Sequence, residues 1–379
     1  MSTIRPFLDF YGAQNISPVA QDISDLDRHF QRRGSLYRSL GIPPLYVRDR
    51  SVIEFGPGSG HNALYTQHLG PRRYVMVDAN VRGIEETRAL LERVQPGKAN
   101  YEIVHALIEE FESAERFDLV LAEGLVPFQM DPSAFIRHIA RSAGENAVLV
   151  VTCADAPSIL GEVGRRLIAY RLAGPGVTER ERLARLVPVF TPHLATLGGM
   201  SRSVEDWIYD NILNPFVGRT FGIDEAIEAL GDEFDVYGSS PEFIVDLRWY
   251  KQLYGAERQF NENARIAYLE NMINFLDYRV TVPAHDAKLG IAIRDLSRAA
   301  YATMQAIEAS GGRRSTAEAA PGIREIARHA VSSPATARAL NELAAFLEDD
   351  SLRDTDAALG EFASYFGRGT QYLSFIRRS

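Results

Sequence analysis

A chain of 379 residues, 46% hydrophobic and 24% charged, has the composition of an ordinary globular protein and the length for two or three domains. Its 41 Lys and Arg against 50 Asp and Glu leave a net charge of -9, which speaks against a broad phosphate-binding surface and so against a nucleic-acid partner. One cysteine, Cys153, excludes an internal disulfide and a multi-cysteine zinc site, and no metal is expected.

Residues 1–20 carry no apolar leader core, and no apolar run comes near the roughly 18 residues that a membrane span requires. The expected location is the cytoplasm, with no membrane partner. Residues 22–40 (DISDLDRHFQRRGSLYRSL) read as a charged amphipathic helix stopped by Pro43 and Pro44, which makes residues 1–48 an N-terminal helical lid. Strand patterns follow at 51–55, 74–77, 101–104, 117–122 and 147–152. Helical spacing lies between them at 62–69, 83–94, 107–111 and 133–143. This alternation predicts an α/β fold with a Rossmann-like, doubly wound, mostly parallel sheet, its core spanning 49–156.

Residues 157–221 exceed what a crossover needs and read as an inserted helical cap. Residues 222–255 return to the core, with a helix at 223–230 and strand candidates at 234–237 and 243–249. These would complete a seven-stranded sheet, with Trp249 and Tyr250 packing against it. Residues 256–379 are rich in helix formers, at 264–276, 287–308, 321–331, 335–346 and 354–366, and predict a helical C-terminal region. Its polar, glycine-containing stretch 309–320 reads as a mobile loop. The aromatic residues Tyr365, Phe366 and those of 372–375 suit a core, with a homodimer contact as the alternative.

The sharpest local signal is Val52-Ile53-Glu54-Phe55-Gly56-Pro57-Gly58-Ser59-Gly60-His61-Asn62: an apolar strand, an acid near its end, three alternate glycines, then a helix. Glycines let a backbone turn tightly and approach a ligand with no Cβ in the way. His61 occupies the place where a dinucleotide fingerprint puts its third glycine, which disfavours NAD(P) and an oxidoreductase without removing that alternative. Asp78 ends the next strand, 18 residues after Gly60, where a carboxylate can accept both ribose hydroxyls.

On these residues the sequence resembles the class I S-adenosylmethionine (SAM) dependent methyltransferases, over residues 45–155. Their first motif is matched by Glu54 to Gly60 and their ribose-binding acid by Asp78. The resemblance implies SAM as cofactor. It places Gly56, Gly58 and Gly60 under the methionine and ribose, with Pro57 and Asn62 alongside, and Glu54 at the methionine amino group. Asp78 falls at the ribose with Ala79 and Asn80 beside it, and Ala106, Leu107 and Ile108 fall at the adenine edge. The acid often found at that edge is absent, its place falling to His105 or Glu109. Glu123, after the fourth strand, would face donor and acceptor.

Neither the Asn/Asp-Pro-Pro-aromatic motif of base-amino methyltransferases nor the paired-glutamate hairpin of arginine methyltransferases is found. The expected acceptor is therefore a nitrogen or oxygen of a small molecule. In-line methyl transfer needs positioning and exclusion of water more than a metal, and an oxygen acceptor gains from a general base. The candidate catalytic residues are His61, Glu123 and Tyr209. The candidate acceptor contacts are Tyr11 and Arg33 in the lid, and Trp207, Tyr209 and Asn211 in the cap, with helix packing as the plainer role of the cap aromatics. A SAM-binding protein without catalysis is the remaining alternative.

Overall fold

Asp25 opens the first helix, α1 (Leu26–Ser39), its carboxylate accepting from the Arg28 backbone N–H. His29, Arg33 and Tyr37, spaced four apart, share the helix face that is buried. The computed structural model describes residues 22–98, 100–200, 202–214, 218–349, 351–352, 354–357 and 360–379. Tyr11 lies outside them.

After α1 the chain alternates strand and helix: β1 (Ser51–Phe55), α2 (Ala63–His68), β2 (Arg73–Asp78), α3 (Val81–Val94), β3 (Tyr101–His105), β4 (Phe117–Ala122), α4 (Pro132–Ala140) and β5 (Ala143–Cys153). Side-chain caps start two of these helices. Asn80 accepts from Gly83 N–H at α3, and Asp131 accepts from Ala134 N–H at α4. Three helices follow, α5 (Leu160–Leu172), α6 (Glu179–Ala195) and α7 (Val204–Ile208), the last running into a wide turn, Tyr209–Leu213. Then come α8 (Ile223–Leu230), β6 (Phe234–Ser240), α9 (Phe260–Glu270), α10 (Met272–Leu276), α11 (Ala287–Ala309), α12 (Ala320–His329), α13 (Pro334–Glu348) and β7 (Gln371–Arg377).

The seven strands form one sheet in the order β3-β2-β1-β4-β5-β7-β6. β1 to β5 pair in parallel, and β7 runs antiparallel to both its neighbours. The chain divides into two compact units. The sheet unit holds residues up to Cys153, Val217–Arg265 and Gln371–Ser379, and the helical unit holds Ala154–Phe216 and Ile266–Thr370. One face of the sheet, through Val52, Tyr74, Met76, Leu119, Leu121, Val148 and Val150, packs with Tyr37, Leu40, Leu64 and Tyr65 of the helices above it. Among the described residues no helix is long and apolar enough to cross a membrane.

Four expectations need correction. The segment 243–249 is no strand. Arg248 pairs with Asp246 and donates to the carbonyls of Glu257 and Arg258, which folds the segment on itself and leaves Leu247 91% exposed. Trp249 and Tyr250 are likewise exposed and do not pack the sheet. The missing strand is β7, from the far end of the chain, where Leu373, Ser374 and Phe375 are wholly buried between β5 and β6. The stretch 309–320 is tied down: Gly312 N–H donates to Tyr170 Oη, and Ser315 caps a tight turn at Thr316–Ala319. The helix expected over 354–366 is reduced to Asp354–Ala357 and a single turn at Glu361–Ser364.

Candidate functional site

The carboxyl ends of β1, β2 and β4 carry the residues of the glycine motif, Asp78 and Glu123. Gly56, Gly58 and Gly60 have φ of 62°, 59° and 79°, a backbone region that side chains avoid. A Cβ on Gly56 would lie 2.6 Å from the Leu125 side chain, and one on Gly60 would lie 2.9 Å from Thr87 Cα. The turn is therefore fixed by close packing as well as by conformation. Thr87 Oγ1 donates to the Gly58 carbonyl and fastens α3 to the loop.

Asp78 closes the other side. Its carboxylate accepts from Gly58 N–H at 3.1 Å and Asn80 N–H at 2.8 Å. Burial pushes this carboxyl above its ordinary range, against the pull of those N–H donors. Ala79 and Ala106 meet around the same strand ends: Ala106 N–H donates to the Asp78 carbonyl, and His105 Nε2 lies 3.2 Å from the Ala79 carbonyl. Leu107 and Ile108 continue this edge half-buried, with His138 Nε2 against the Ile108 carbonyl.

Glu123 follows β4 directly and is engaged from two sides. Arg33 of α1 forms a two-pronged ion pair with it, at 2.5 Å and 2.9 Å, and both side chains are about nine-tenths buried. Asn62 Nδ2 donates to the same carboxylate at 3.2 Å. Burial opposes charge on Arg33, yet the attraction of Glu123 and its hydrogen bonds prevail and hold the guanidinium above its usual range. Arg33, expected to meet an acceptor, is paired with Glu123 in this structure. Both Glu123 oxygens accept hydrogen bonds in this arrangement, which ties the end of β4 to α1 and to Asn62. His61 stands beside it, Nδ1 on Ser59 Oγ, its carbonyl accepting from His29 Nε2 at 2.9 Å.

Glu54 is buried at the end of β1 and accepts from the Tyr74 hydroxyl. Burial, helped by the charge of Glu123, pushes its carboxyl up to about 7, with the Tyr74 hydrogen bond and Arg33 acting the other way. Tyr74, Thr66 and Tyr37, which join Glu54 in one buried chain, escaped sequence reasoning. The available signal was a single tyrosine opening the apolar run of β2, but its use depends on register.

The cap candidates belong to the helical unit. Trp207 is buried there, edge-on to Phe190 and Phe366, the packing arrangement weighed beside an acceptor contact. The Asn211 amide donates to the Trp207 carbonyl, back onto its own helix. Tyr209 begins a turn closed by an Asn214 N–H to Tyr209 carbonyl bond, wider than a helical turn.

A family model described as a methyltransferase domain matches residues 26–194. Ribosomal RNA small subunit methyltransferase G of Methylococcus capsulatus (strain Bath) is 31% identical over 159 residues, covering 40% of this chain and 73% of that protein. The chain belongs to the class I SAM-dependent methyltransferases. Solved structures similar to this methyltransferase include the N-methyltransferase NodS from Bradyrhizobium japonicum WM9 with S-adenosyl-L-homocysteine. It is 14% identical, with a TM-score of 0.35 and coverage of 61% of this chain and 89% of that one. The magnesium protoporphyrin IX methyltransferase from Synechocystis PCC 6803 is 13% identical, with a TM-score of 0.36 and coverage of 62% and 84%. SAM is the cofactor of the family, which decides against the dinucleotide alternative and for an enzyme. The methyltransferase site fits it. A Cβ on Gly124, at φ 72°, would meet nothing within 4 Å, so open space adjoins the strand ends where the glycine turn and two buried carboxylates converge.

Proposed function

We propose that this methyltransferase acts on a nitrogen or oxygen of a small molecule. The observation that carries the reading is the charge of the crevice. The charged groups that act on buried Glu54 are Glu123 and Asp78, which oppose its ionisation, and Arg33 alone, which favours it. Arg33 is neutralised by its pair with Glu123 and so offers no free cation to a phosphodiester backbone, which suits a neutral or cationic acceptor. The net charge of -9 points the same way.

Bound SAM supplies a methyl group on a sulfonium, ready for in-line displacement. In this reading Gly56, Pro57, Gly58 and Gly60 cradle the donor, Asp78 takes the ribose hydroxyls, and Glu54 takes the ammonium. Ala79, Asn80, Ala106, Leu107 and Ile108 border the adenine, and the Arg33–Glu123–Asn62 cluster shuts out water on the methyl side. His61 is the residue on this unit that would receive a proton from a hydroxyl acceptor.

A ribosomal RNA acceptor is the second reading, favoured by the name of the Methylococcus capsulatus relative. One experiment separates them. The purified chain is incubated with methyl-labelled SAM and, in parallel, a protein-free metabolite extract and unmethylated small-subunit ribosomal RNA. Label in the metabolite fraction alone is the expected result. Label in the RNA overturns the small-molecule reading.

A further inference from the structure

Glu54 is 5% exposed, and its Oε2 accepts a hydrogen bond from Tyr74. Among the described residues its other oxygen, Oε1, has no hydrogen-bond partner. Thr66 acts on the Tyr74 hydroxyl from the side away from Glu54, and its Oγ1 lies 2.8 Å from the Tyr37 hydroxyl. Tyr74, Thr66 and Tyr37 are each 1% exposed or less, so water does not complete this chain. It gathers residues from four elements, β1, β2, α2 and α1. The register explains the reach: Tyr74 pairs with Val52, two positions before Glu54 on the same strand face, and its ring lies along the sheet toward the carboxyl end.

Each hydroxyl has one proton to give, and an ionised carboxylate can only accept. The proton of Tyr74 therefore faces Glu54, while either hydroxyl of the Thr66–Tyr37 pair can be the donor to the other. Phenylalanine at position 74 would fill the same space, so the hydroxyl serves the carboxylate beyond packing.

We infer that Tyr74, backed by Thr66 and Tyr37, is a positioning residue of the donor site: it ties Oε2 of Glu54 and leaves Oε1 to receive the ammonium of the donor. This rests on the reading that Glu54 takes that ammonium. The groups facing Glu54 are Arg33 and Tyr37 from α1, Tyr74 and Asp78 from β2, and Glu123 after β4. Of these Arg33 and Tyr74 favour its ionisation. Removing the Tyr74 hydroxyl leaves burial and two carboxylates opposed by Arg33 alone, and the carboxyl then ionises at higher pH.

The test is calorimetric titration of the full chain with S-adenosylhomocysteine, which keeps the amino-acid end and does not react, between pH 6 and 8.5. Tyr74→Phe is expected to weaken binding about tenfold at pH 7.5, the scale of one hydrogen bond to a charged group. Its curve of affinity against pH shifts to higher pH, and Thr66→Val produces a smaller shift in the same direction. A Tyr74→Phe curve superimposed on the native one at every pH, whatever happens to Tm, overturns the positioning role. Glu54→Gln separates the two levels. Its loss of affinity and pH dependence is expected, whereas native affinity in that variant sinks the role of Glu54 itself.

Discussion

Arg33 and Glu123 form the tightest charged contact of the site, and each depends on the other. Truncating one partner of a buried pair strands the other charge in a poorly solvated place, at a cost of about 3–5 kcal/mol, while replacing both with apolar side chains costs far less. Arg33→Ala is therefore expected to lower urea stability severely and Arg33→Leu with Glu123→Leu to regain most of it. Equal losses in the two variants would contradict this. Glu54 adds a dependence on pH. Its carboxyl lies at about 7 in the folded chain against an ordinary 4.5, so between those values the folded state binds more protons than the unfolded one. Stability from this group is complete below pH 4.5 and is lost as pH rises through 7, by about 3 kcal/mol at most. Melting of the ligand-free chain from pH 5 to 8 should show a fall that is smaller in Glu54→Gln, and an identical fall in both would exclude Glu54 as its source.

Among the elements, β7 bears most on the sheet. It supplies both partners that β5 and β6 need on their facing edges, and Leu373 and Phe375 are wholly buried. A chain ending at residue 370 should be insoluble or aggregate on purification, because two long strand edges with apolar faces are left open. Soluble, SAM-binding protein from that truncation would refute the structural role of β7. The same strand marks where sequence reading reached its limit. β1, β4 and α8 were legible to the residue because their apolar patterns and flanking turns are local. The segment 243–249 alternates as well as any strand, but Arg248 finds its partners close by, and the place beside β6 goes to a segment about 130 residues away. Likewise the glycine turn and Asp78 could be read from spacing. The Arg33–Glu123 pair and the Tyr37–Thr66–Tyr74 chain could not, since they join residues that only tertiary packing brings together.

At the scale of the molecule, neither unit is a continuous piece of chain. The sheet unit is assembled from three stretches and the helical unit from two, so the chain passes between them four times. The motifs that reveal the family all lie before residue 154, and a fragment ending at Cys153 would contain every one of them. It is nonetheless expected not to fold: it lacks β6 and β7, and β5 would end the sheet as an exposed, apolar edge. Circular dichroism and donor titration of that fragment check this, and native-like binding by it would show that the five parallel strands suffice.

The position of β7 also has a consequence during synthesis. β6 leaves the ribosome about 130 residues before its inner neighbour, an interval on the order of 10 s at usual elongation rates. Throughout it the nascent sheet stays unfinished one strand in from its β6 edge, where β5 and β6 each await the same late arrival. Slowing translation over the helical stretch before β7 would lengthen that interval.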